Sequence, residues 1–193
     1  LFVYNPESGK GKILKHEKYI KEKLSSIYQQ VDVIKSEYAG HIFEIVRDMP
    51  DEYDTLVVAG GDGTLNEVIN ALGSKKKKPK IGYIPTGTVN DVAHSLDIPR
   101  SIKGAVDNIL QQNVFKHDIF RVNDRFGICV CCAGVFTESS YARGRSTTKH
   151  LGRIAYFCHA VKKIFTSPYI ELQLTLPAGT LYEGTFARLL GVN

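Results

Sequence analysis

The sequence predicts an α/β protein: an N-terminal domain built on a doubly wound parallel sheet, followed by part of an antiparallel, β-rich second domain. Short apolar runs alternate with helical patterns as far as Phe115. This alternation is typical of a parallel sheet with helices on both faces. Beyond Phe115 several apolar runs are joined by short turns, which predicts antiparallel strands.

The elements of the first domain are predicted from the spacing of their apolar residues. Runs rich in Val, Ile and Leu predict buried strands, and apolar residues three and four positions apart predict helices. The predicted strands are residues 1–4, 31–35, 54–59 and 80–84, and the predicted helices are residues 13–28, 39–47, 65–72, 89–96 and 102–110.

The second domain is predicted to begin near Phe115, so that residues 1–114 form the first domain and residues 115–193 belong to the second. Asn123 and Asp124 mark a turn between two predicted strands. The predicted elements are strands 115–122 and 126–133, a polar segment 137–150, a helix 154–165, and a hairpin of residues 169–176 and 181–190.

Composition narrows the class of protein. Hydrophobic residues make up 43% and charged residues 23% of the 193 residues, which excludes a disordered, collagenous or disulfide-stapled chain. The net charge is +5, and a single run of lysines at residues 75–78 accounts for most of it. A solvated loop is the simplest interpretation of this run; contact with an anionic membrane is the alternative. No aromatic residues interrupt the run, so we expect no nucleic-acid partner.

The most informative motif is Gly-Gly-Asp-Gly-Thr-Leu-Asn-Glu at residues 60–67, between a buried strand and a helix. Its glycines let the backbone approach a ligand, and successive N–H groups in such a turn form an anion-binding nest. The spacing of Thr64 and Glu67 predicts a capping box at the start of the helix. The helix N-terminus would then direct its free N–H groups at the same place, which favours phosphate.

Asp62 is unexpected in an anion site, because a bare carboxylate would repel phosphate. Its presence implies a bridging Mg²⁺ ion or a hydrogen bond to ribose or water. The plain structural alternative is a tight turn with a capping aspartate.

Two further loops follow predicted strands at the same edge of the sheet. Residues 85–91 (Pro-Thr-Gly-Thr-Val-Asn-Asp) contain Thr88 and Asp91, which are spaced as a second capping box. Residues 5–12 (Asn-Pro-Glu-Ser-Gly-Lys-Gly-Lys) supply two glycines, a hydroxyl and two lysines. Each loop alone is consistent with a cap or a surface loop. Because ligands bind at the carboxyl ends of parallel strands, three such loops together indicate a phosphate site.

The three motifs in this order and spacing resemble those of the diacylglycerol kinase catalytic domain family, to which bacterial soluble diacylglycerol kinases and sphingosine kinases belong. The first motif alone is shared with NAD kinases and 6-phosphofructokinases, so the resemblance implies a fold of that type for residues 1–114. It also implies an ATP-dependent transfer of the γ-phosphoryl group to a lipid hydroxyl, with Mg²⁺ as cofactor.

Site residues carry over by motif position. Asp62 would act in the phosphate and metal loop, binding Mg²⁺ through water. The resemblance implies a supporting polar network of Lys10, Asp91, His94 and Asp118, in which His94 stands where the family usually has a more basic residue. The implied nucleotide contacts are Asn5, Pro6, Glu7, Ser8, Gly9, Ser36, Gly61, Asp62, Gly63, Thr64, Leu65, Asn66, Glu67 and Thr88.

The general base of the family lies in an Asp-Gly-Glu-like motif, which we expect downstream of Asn193 together with the metal-coordinating loop. The chain starts and stops inside apolar runs, so we expect it to be a segment of a longer protein. Alone, it is expected to bind ATP without catalysing. The expected partners are ATP, a lipid acceptor and, transiently, an anionic membrane surface, with pairing into a homodimer through an antiparallel edge. The expected location is the cytoplasm, at the inner face of the membrane.

Basic residues in the segment 141–153 offer a second expected contact with anionic headgroups, the alternative being a solvated loop. Two rival functions remain open. The loop at residues 60–67 also fits an NAD-kinase-like small-molecule kinase, and the chain could be a non-catalytic nucleotide-binding regulatory module.

Overall fold

The computed structural model describes residues 1–73, 75–134, 170–175, 179–186 and 188–192. The chain divides into two compact units, Leu1–Cys129 and Val130–Val192. Within the described residues, no helix is both long and apolar enough to cross a membrane.

A four-stranded parallel sheet forms the centre of the first unit, with strand order β2-β1-β3-β4. Its strands are β1 (Phe2–Tyr4), β2 (Val33–Lys35), β3 (Thr55–Gly60) and β4 (Lys80–Pro85). The helices are α1 (Glu17–Leu24), α2 (His41–Asp48), α3 (Asp62–Gly73), α4 (Asp91–Ser95) and α5 (Ile102–Leu110).

Helices cover both faces of the central strands β1 and β3, whose successive residues point to opposite sides and are nearly all buried. On one face Leu1 and Val3 pack with residues of α2 and α3. On the other face Phe2 and Tyr4 pack with residues of α1 and α5. The predicted α/β class with a doubly wound parallel sheet is therefore confirmed.

The chain between β1 and α1 differs from the prediction of one helix over residues 13–28. A 3₁₀ segment (Ser8–His16) precedes α1, and its residues Gly9, Lys10 and Gly11 all have positive φ angles, between 60° and 73°. The left-handed residues lie before the predicted helix, residues 13–16 continue the 3₁₀ segment, and α1 itself covers only Glu17–Leu24.

Both predicted capping boxes are wrong. Helix α3 begins at Asp62, which places Thr64 inside the helix, where it is buried. Helix α4 begins at Asp91 after Asn90, which is left-handed and makes no side-chain capping bond. Thr88 therefore lies before the helix, in the loop.

A β-hairpin of β5 (Phe120–Val122) and β6 (Arg125–Gly127) packs on α3. The side chain of Asn70 donates to the backbone oxygen of Phe126 at 2.8 Å and accepts from its N–H at 2.9 Å. This attachment explains why the first compact unit continues to Cys129. The domain boundary expected near Phe115 stays a prediction. The predicted strand 115–122 is reduced to β5, and the predicted strand 126–133 is interrupted at Ile128 and Cys129.

The second unit is antiparallel where it is described. Strands β8 (Ile170–Thr175) and β9 (Leu181–Phe186) form the predicted hairpin, while β10 (Arg188–Val192) pairs with β7 (Val130–Gly134). The predicted helix 154–165, the polar segment 137–150 and the basic segment 141–153 lie outside the described residues.

Candidate functional site

Three loops meet at the carboxyl ends of β1, β3 and β4. The N–H of Asn5, which follows β1, donates to the oxygen of Ala59 in β3 at 3.0 Å, and the N–H of Thr86, which follows β4, donates to that of Gly60 at 2.8 Å. The hydroxyls of Ser8 and Thr86 are 3.0 Å apart and hydrogen-bonded. The expected convergence of these loops is therefore present within the first unit.

Glycines allow the loops to approach this closely. A Cβ atom on Gly9 would lie 2.4 Å from the backbone oxygen of Thr86, and one on Gly87 would lie 2.5 Å from the Cα of Gly61. Real Cβ atoms do not approach backbone atoms so closely. The loop glycines are therefore required by contacts between loops, in addition to any contact with a ligand.

The loop after β1 is held by its own polar groups. The side-chain oxygen of Asn5 accepts from the N–H of Glu7 at 2.9 Å, and its backbone oxygen accepts from the N–H of Ser8 at 3.1 Å. Successive left-handed residues at 9–11 follow. Because such turns point N–H groups to one side, this loop can form part of an anion-binding concavity.

The loop after β3 leads directly into α3. The first N–H groups of an α-helix have no partner within the helix, so those at the start of α3 can bind an anion. Thr64 packs its side chain over Gly60, where a Cβ would lie 2.4 Å away. Asp62 stands in the first helical turn, a favourable position for a negative charge.

The Asp62 carboxylate joins the start of α3 to the start of α4. Its Oδ1 atom accepts from the backbone N–H of Val92 at 3.1 Å. Burial and the charge of Asp62 raise the pKa of the Tyr83 hydroxyl, which donates to the oxygen of Gly60 at 3.2 Å. Burial and the charges of Asp91 and Asp62 raise the pKa of the Cys129 thiol. The charge of Asp62 thus acts on both Tyr83 and Cys129, and the charge of Asp91 acts on Cys129 as well.

Asn90 shapes the loop after β4. This buried residue has a φ angle of 58°, and its side-chain amide donates to the backbone oxygen of Gly87 at 2.9 Å. Its Oδ1 atom would lie 2.6 Å from a Cβ on Gly87, and it has no hydrogen-bond partner among the described residues. The side chain of Asn90 therefore occupies the space that a side chain at position 87 would need.

Glu67 extends from α3 toward the start of α2. Burial raises the pKa of its carboxyl group, and the backbone N–H groups of Phe43 and Gly40 oppose that shift. Since the burial effect is the larger, keeping Glu67 ionised costs stability, which is consistent with a role outside folding.

The remaining predicted residues lie around this edge with different degrees of exposure. Ser36 is buried just beyond β2, where its N–H donates to the oxygen of Tyr4 at 2.9 Å. The predicted network of Lys10, Asp91, His94 and Asp118 stays a prediction. Across the described ranges, no ion pair or hydrogen bond joins the side chains of Lys10, Asp91 and His94, which are exposed. Asp118 lies in the exposed connection before β5.

Asp62 is better suited to bind Mg²⁺ through water molecules than as one of several protein ligands that surround the ion. In the part of the chain that the structure describes, no cluster of three or more metal-binding side chains occurs. Mg²⁺ commonly keeps several waters and uses one or two carboxylates together with substrate phosphates. One carboxylate beside free helix N–H groups is consistent with that pattern.

Sequence reasoning missed Thr86, Tyr83 and Cys129. Thr86 lies inside the second motif, so its position after β4 was a usable signal. Tyr83 and Cys129 reach the site through packing, and no spacing rule in the sequence indicates this.

Comparison with known proteins agrees with this geometry. Residues 1–122 match the family model described as the diacylglycerol kinase catalytic domain. The chain is 34% identical, over 94% of its length, to a diacylglycerol kinase from Staphylococcus aureus strain bovine RF122 / ET3-1 and to one from strain MRSA252. A crystal structure of a diacylglycerol kinase from Bacillus anthracis strain Sterne has the same fold, with a TM-score of 0.72 at 23% identity over 98% of this chain.

The chain spans only part of these relatives. It covers 58% of the length of the two Staphylococcus aureus proteins and 62% of the Bacillus anthracis chain.

Proposed function

The chain belongs to the diacylglycerol kinase catalytic domain family, and on that premise we propose that it forms the ATP-binding part of a lipid kinase. The complete protein would transfer the γ-phosphoryl group of ATP to the hydroxyl of a lipid such as diacylglycerol. The observation that carries this proposal is the convergence of the loops after β1, β3 and β4 at one edge of the sheet.

The nucleotide phosphates would lie against the start of α3. Backbone N–H groups there and in the loop after β1 would neutralise their charge by hydrogen bonding. Phosphoryl transfer depends mainly on positioning and on neutralising phosphate charge, and requires little covalent chemistry from the protein. Loops that are tied by hydrogen bonds of Ser8, Thr86 and Asp62 suit that task.

Asp62 has two tasks in this proposal. Its Oδ1 atom holds the start of α4 in place, and the carboxylate would orient the water shell of a bound Mg²⁺ ion. When bound, Mg²⁺ would reduce the negative charge of the phosphates. The predicted polar network of Lys10, Asp91, His94 and Asp118 would support this arrangement.

The acceptor and the location follow from the family and stay part of the proposal. A lipid hydroxyl is available at a membrane surface, so the protein would work at the inner, anionic face of the membrane. The pairing of two chains through an antiparallel edge is likewise a prediction.

The proposal is tested with two samples. ATP and ADP are titrated into this chain by calorimetry, and phosphorylation of diacylglycerol, sphingosine, ceramide and NAD is assayed with a protein extended to the length of its relatives. We expect ATP binding by the chain and phosphorylation of a lipid by the longer protein. Phosphorylation of NAD alone would replace the lipid kinase with an NAD kinase. Nucleotide binding without transfer to any acceptor would indicate a regulatory module.

A further inference from the structure

A second concave surface lies beside the loops just described. It is bounded by the 3₁₀ segment, the loop after β4 and the start of α5, and it encloses about 590 Å³. That volume lies in the range of roughly 300–1,000 Å³ that is usual for small-molecule sites. We call it the basic pocket, after four of its lining residues: Lys12, His16, Arg100 and Lys103.

All the charged side chains that line the basic pocket are basic. Among the described residues that line it, none carries a carboxylate. Lys12, Arg100 and Lys103 form no ion pair with any carboxylate in the described part of the chain. The neighbouring acid Glu17 is already engaged, because it accepts a hydrogen bond from the hydroxyl of Tyr4. Gathering like charges around a concave surface raises the local attraction for anions.

Several basic groups are held in position by neighbouring atoms. One Nη atom of Arg100 donates to the backbone oxygen of Val89 at 3.0 Å, which leaves the other guanidinium N–H groups available. A ring nitrogen of His16 lies 3.0 Å from the backbone oxygen of Lys12. The ammonium of Lys103 lies 5.8 Å from the centre of the Tyr19 ring, close enough for a cation–π contact.

Polar groups complete the lining. Thr86, Thr88 and Ser101 contribute hydroxyls. Ser101 also caps α5, accepting from the N–H of Gly104 at 3.1 Å, so the capped start of this helix lies at the edge of the pocket. A guanidinium fork, ammonium groups and hydroxyls are the groups that proteins use to bind phosphate oxygens.

We propose that the basic pocket binds the phosphate group of a small anion through its basic side chains, beside the nucleotide loops, with which it shares Gly9 and Thr88. The proposal does not depend on the kinase reaction, because none of the four basic side chains was among the nucleotide contacts. The phosphate could belong to a soluble phosphorylated compound or to the headgroup of an anionic lipid, and the two sources are separated by experiment.

The test compares two charge-matched double variants. Arg100→Gln with Lys103→Gln removes two charges from the basic pocket, and Lys76→Gln with Lys78→Gln removes two from the exposed lysine run. Inorganic pyrophosphate is titrated into each by calorimetry at low salt, and binding to phosphatidylcholine vesicles with and without phosphatidic acid is measured by sedimentation. ADP is titrated separately.

We expect the pocket variant to lose affinity about tenfold or more, as for charge-assisted hydrogen bonds, while the control variant and all ADP titrations stay unchanged. Loss of pyrophosphate binding identifies a soluble ligand, and loss confined to vesicles containing phosphatidic acid identifies a lipid headgroup. Equal loss in both double variants, or no loss in either, would overturn the proposal. Parallel loss of ADP binding would also overturn it, because the pocket would then be part of the nucleotide site.

Discussion

The Oδ1 atom of Asp62 accepts a hydrogen bond from the backbone N–H of Val92 at 3.1 Å, which links the start of α3 to α4. The residue that the sequence singled out for phosphate chemistry therefore also holds the starts of two helices together. Substitutions at Asp62 should separate these two tasks.

Replacing Asp62 by asparagine should remove phosphoryl transfer while preserving the fold. Asparagine keeps an Oδ1 acceptor for Val92, so the free energy of unfolding should change by less than about 1 kcal/mol. In the protein extended to the length of its relatives, kcat should fall roughly 100-fold or more, as when one charge-stabilising group is lost from a transition state. Lipid phosphorylation and thermal unfolding are the two measurements.

Asp62→Ala serves as the matched variant. It leaves the buried N–H of Val92 without its partner, which should cost about 1–3 kcal/mol of stability in addition to the catalytic loss. Near-normal lipid phosphorylation by Asp62→Asn would refute the catalytic assignment.

Gly87→Ala should push two loops apart. Its Cβ would lie 2.5 Å from the Cα of Gly61 and 2.6 Å from the Oδ1 of Asn90, and overpacking of this kind costs about 1–3 kcal/mol. Nucleotide affinity should fall with it. Gly63→Ala is the stability control, because its Cβ meets no atom within 4 Å and lies in a helix. A Gly87→Ala variant with the melting temperature and ADP affinity of the parent would contradict the close packing.

Asn70→Ala should detach the β5–β6 hairpin from α3. The substitution leaves the N–H and the oxygen of Phe126 without the partner they share, at a cost of about 1–3 kcal/mol. Hydrogen exchange should increase in β5 and β6 while remaining low in β3. Asn108→Ala, on the exposed side of α5, is the control and should change neither. Unchanged protection of the hairpin in Asn70→Ala would show that the two hydrogen bonds between Asn70 and Phe126 do not hold the hairpin on α3.

Glu67→Gln should stabilise the protein near neutral pH. Burial raises the pKa of Glu67 above its ordinary value of 4.5, so the folded state holds the carboxylate less readily than the unfolded state does. The protonated carboxyl group therefore contributes its full stabilisation below pH 4.5, the ordinary pKa. This contribution is lost as the pH rises through the pKa of the folded state. Glutamine never ionises, so its advantage should be greatest near neutral pH and should disappear in acid.

Melting temperatures measured as a function of pH test this expectation. The exposed residue Glu52 provides the control, because Glu52→Gln should show no such pH-dependent gain. A Glu67→Gln gain that is equal at all pH values would argue against ionisation as the cause. Weaker ADP binding by Glu67→Gln would support its place among the nucleotide contacts.

Strands β1 and β3 were predictable because their residues are apolar and almost all buried. Strands β3 and β4 were located within one residue at either end; β3 is a buried run of Leu, Val and Ala, and β4 ends at the proline of the second motif. The helix starts were not predictable in the same way. Thr64 and Glu67 have capping-box spacing, but Thr64 instead packs over Gly60 and Glu67 extends toward α2.

The backbone of the loops was the least predictable feature. Lys10 and Asn90 adopt left-handed angles that few residues other than glycine accept. Contacts between loops, such as that of Gly9 with Thr86, accompany these angles, and nothing local in the sequence specifies them. The motifs therefore predicted which loops meet, while the contacts that fix their shape became visible only in three dimensions.

The central claim is that the loops after β1, β3 and β4 form one site for nucleotide phosphates. A crystal structure of this chain with a non-hydrolysable ATP analogue and Mg²⁺ tests it most directly. We expect the phosphates within hydrogen-bond distance of backbone N–H groups between Gly61 and Thr64, with a water-bound Mg²⁺ beside Asp62. A nucleotide bound elsewhere, with its phosphates away from the start of α3, would contradict the account.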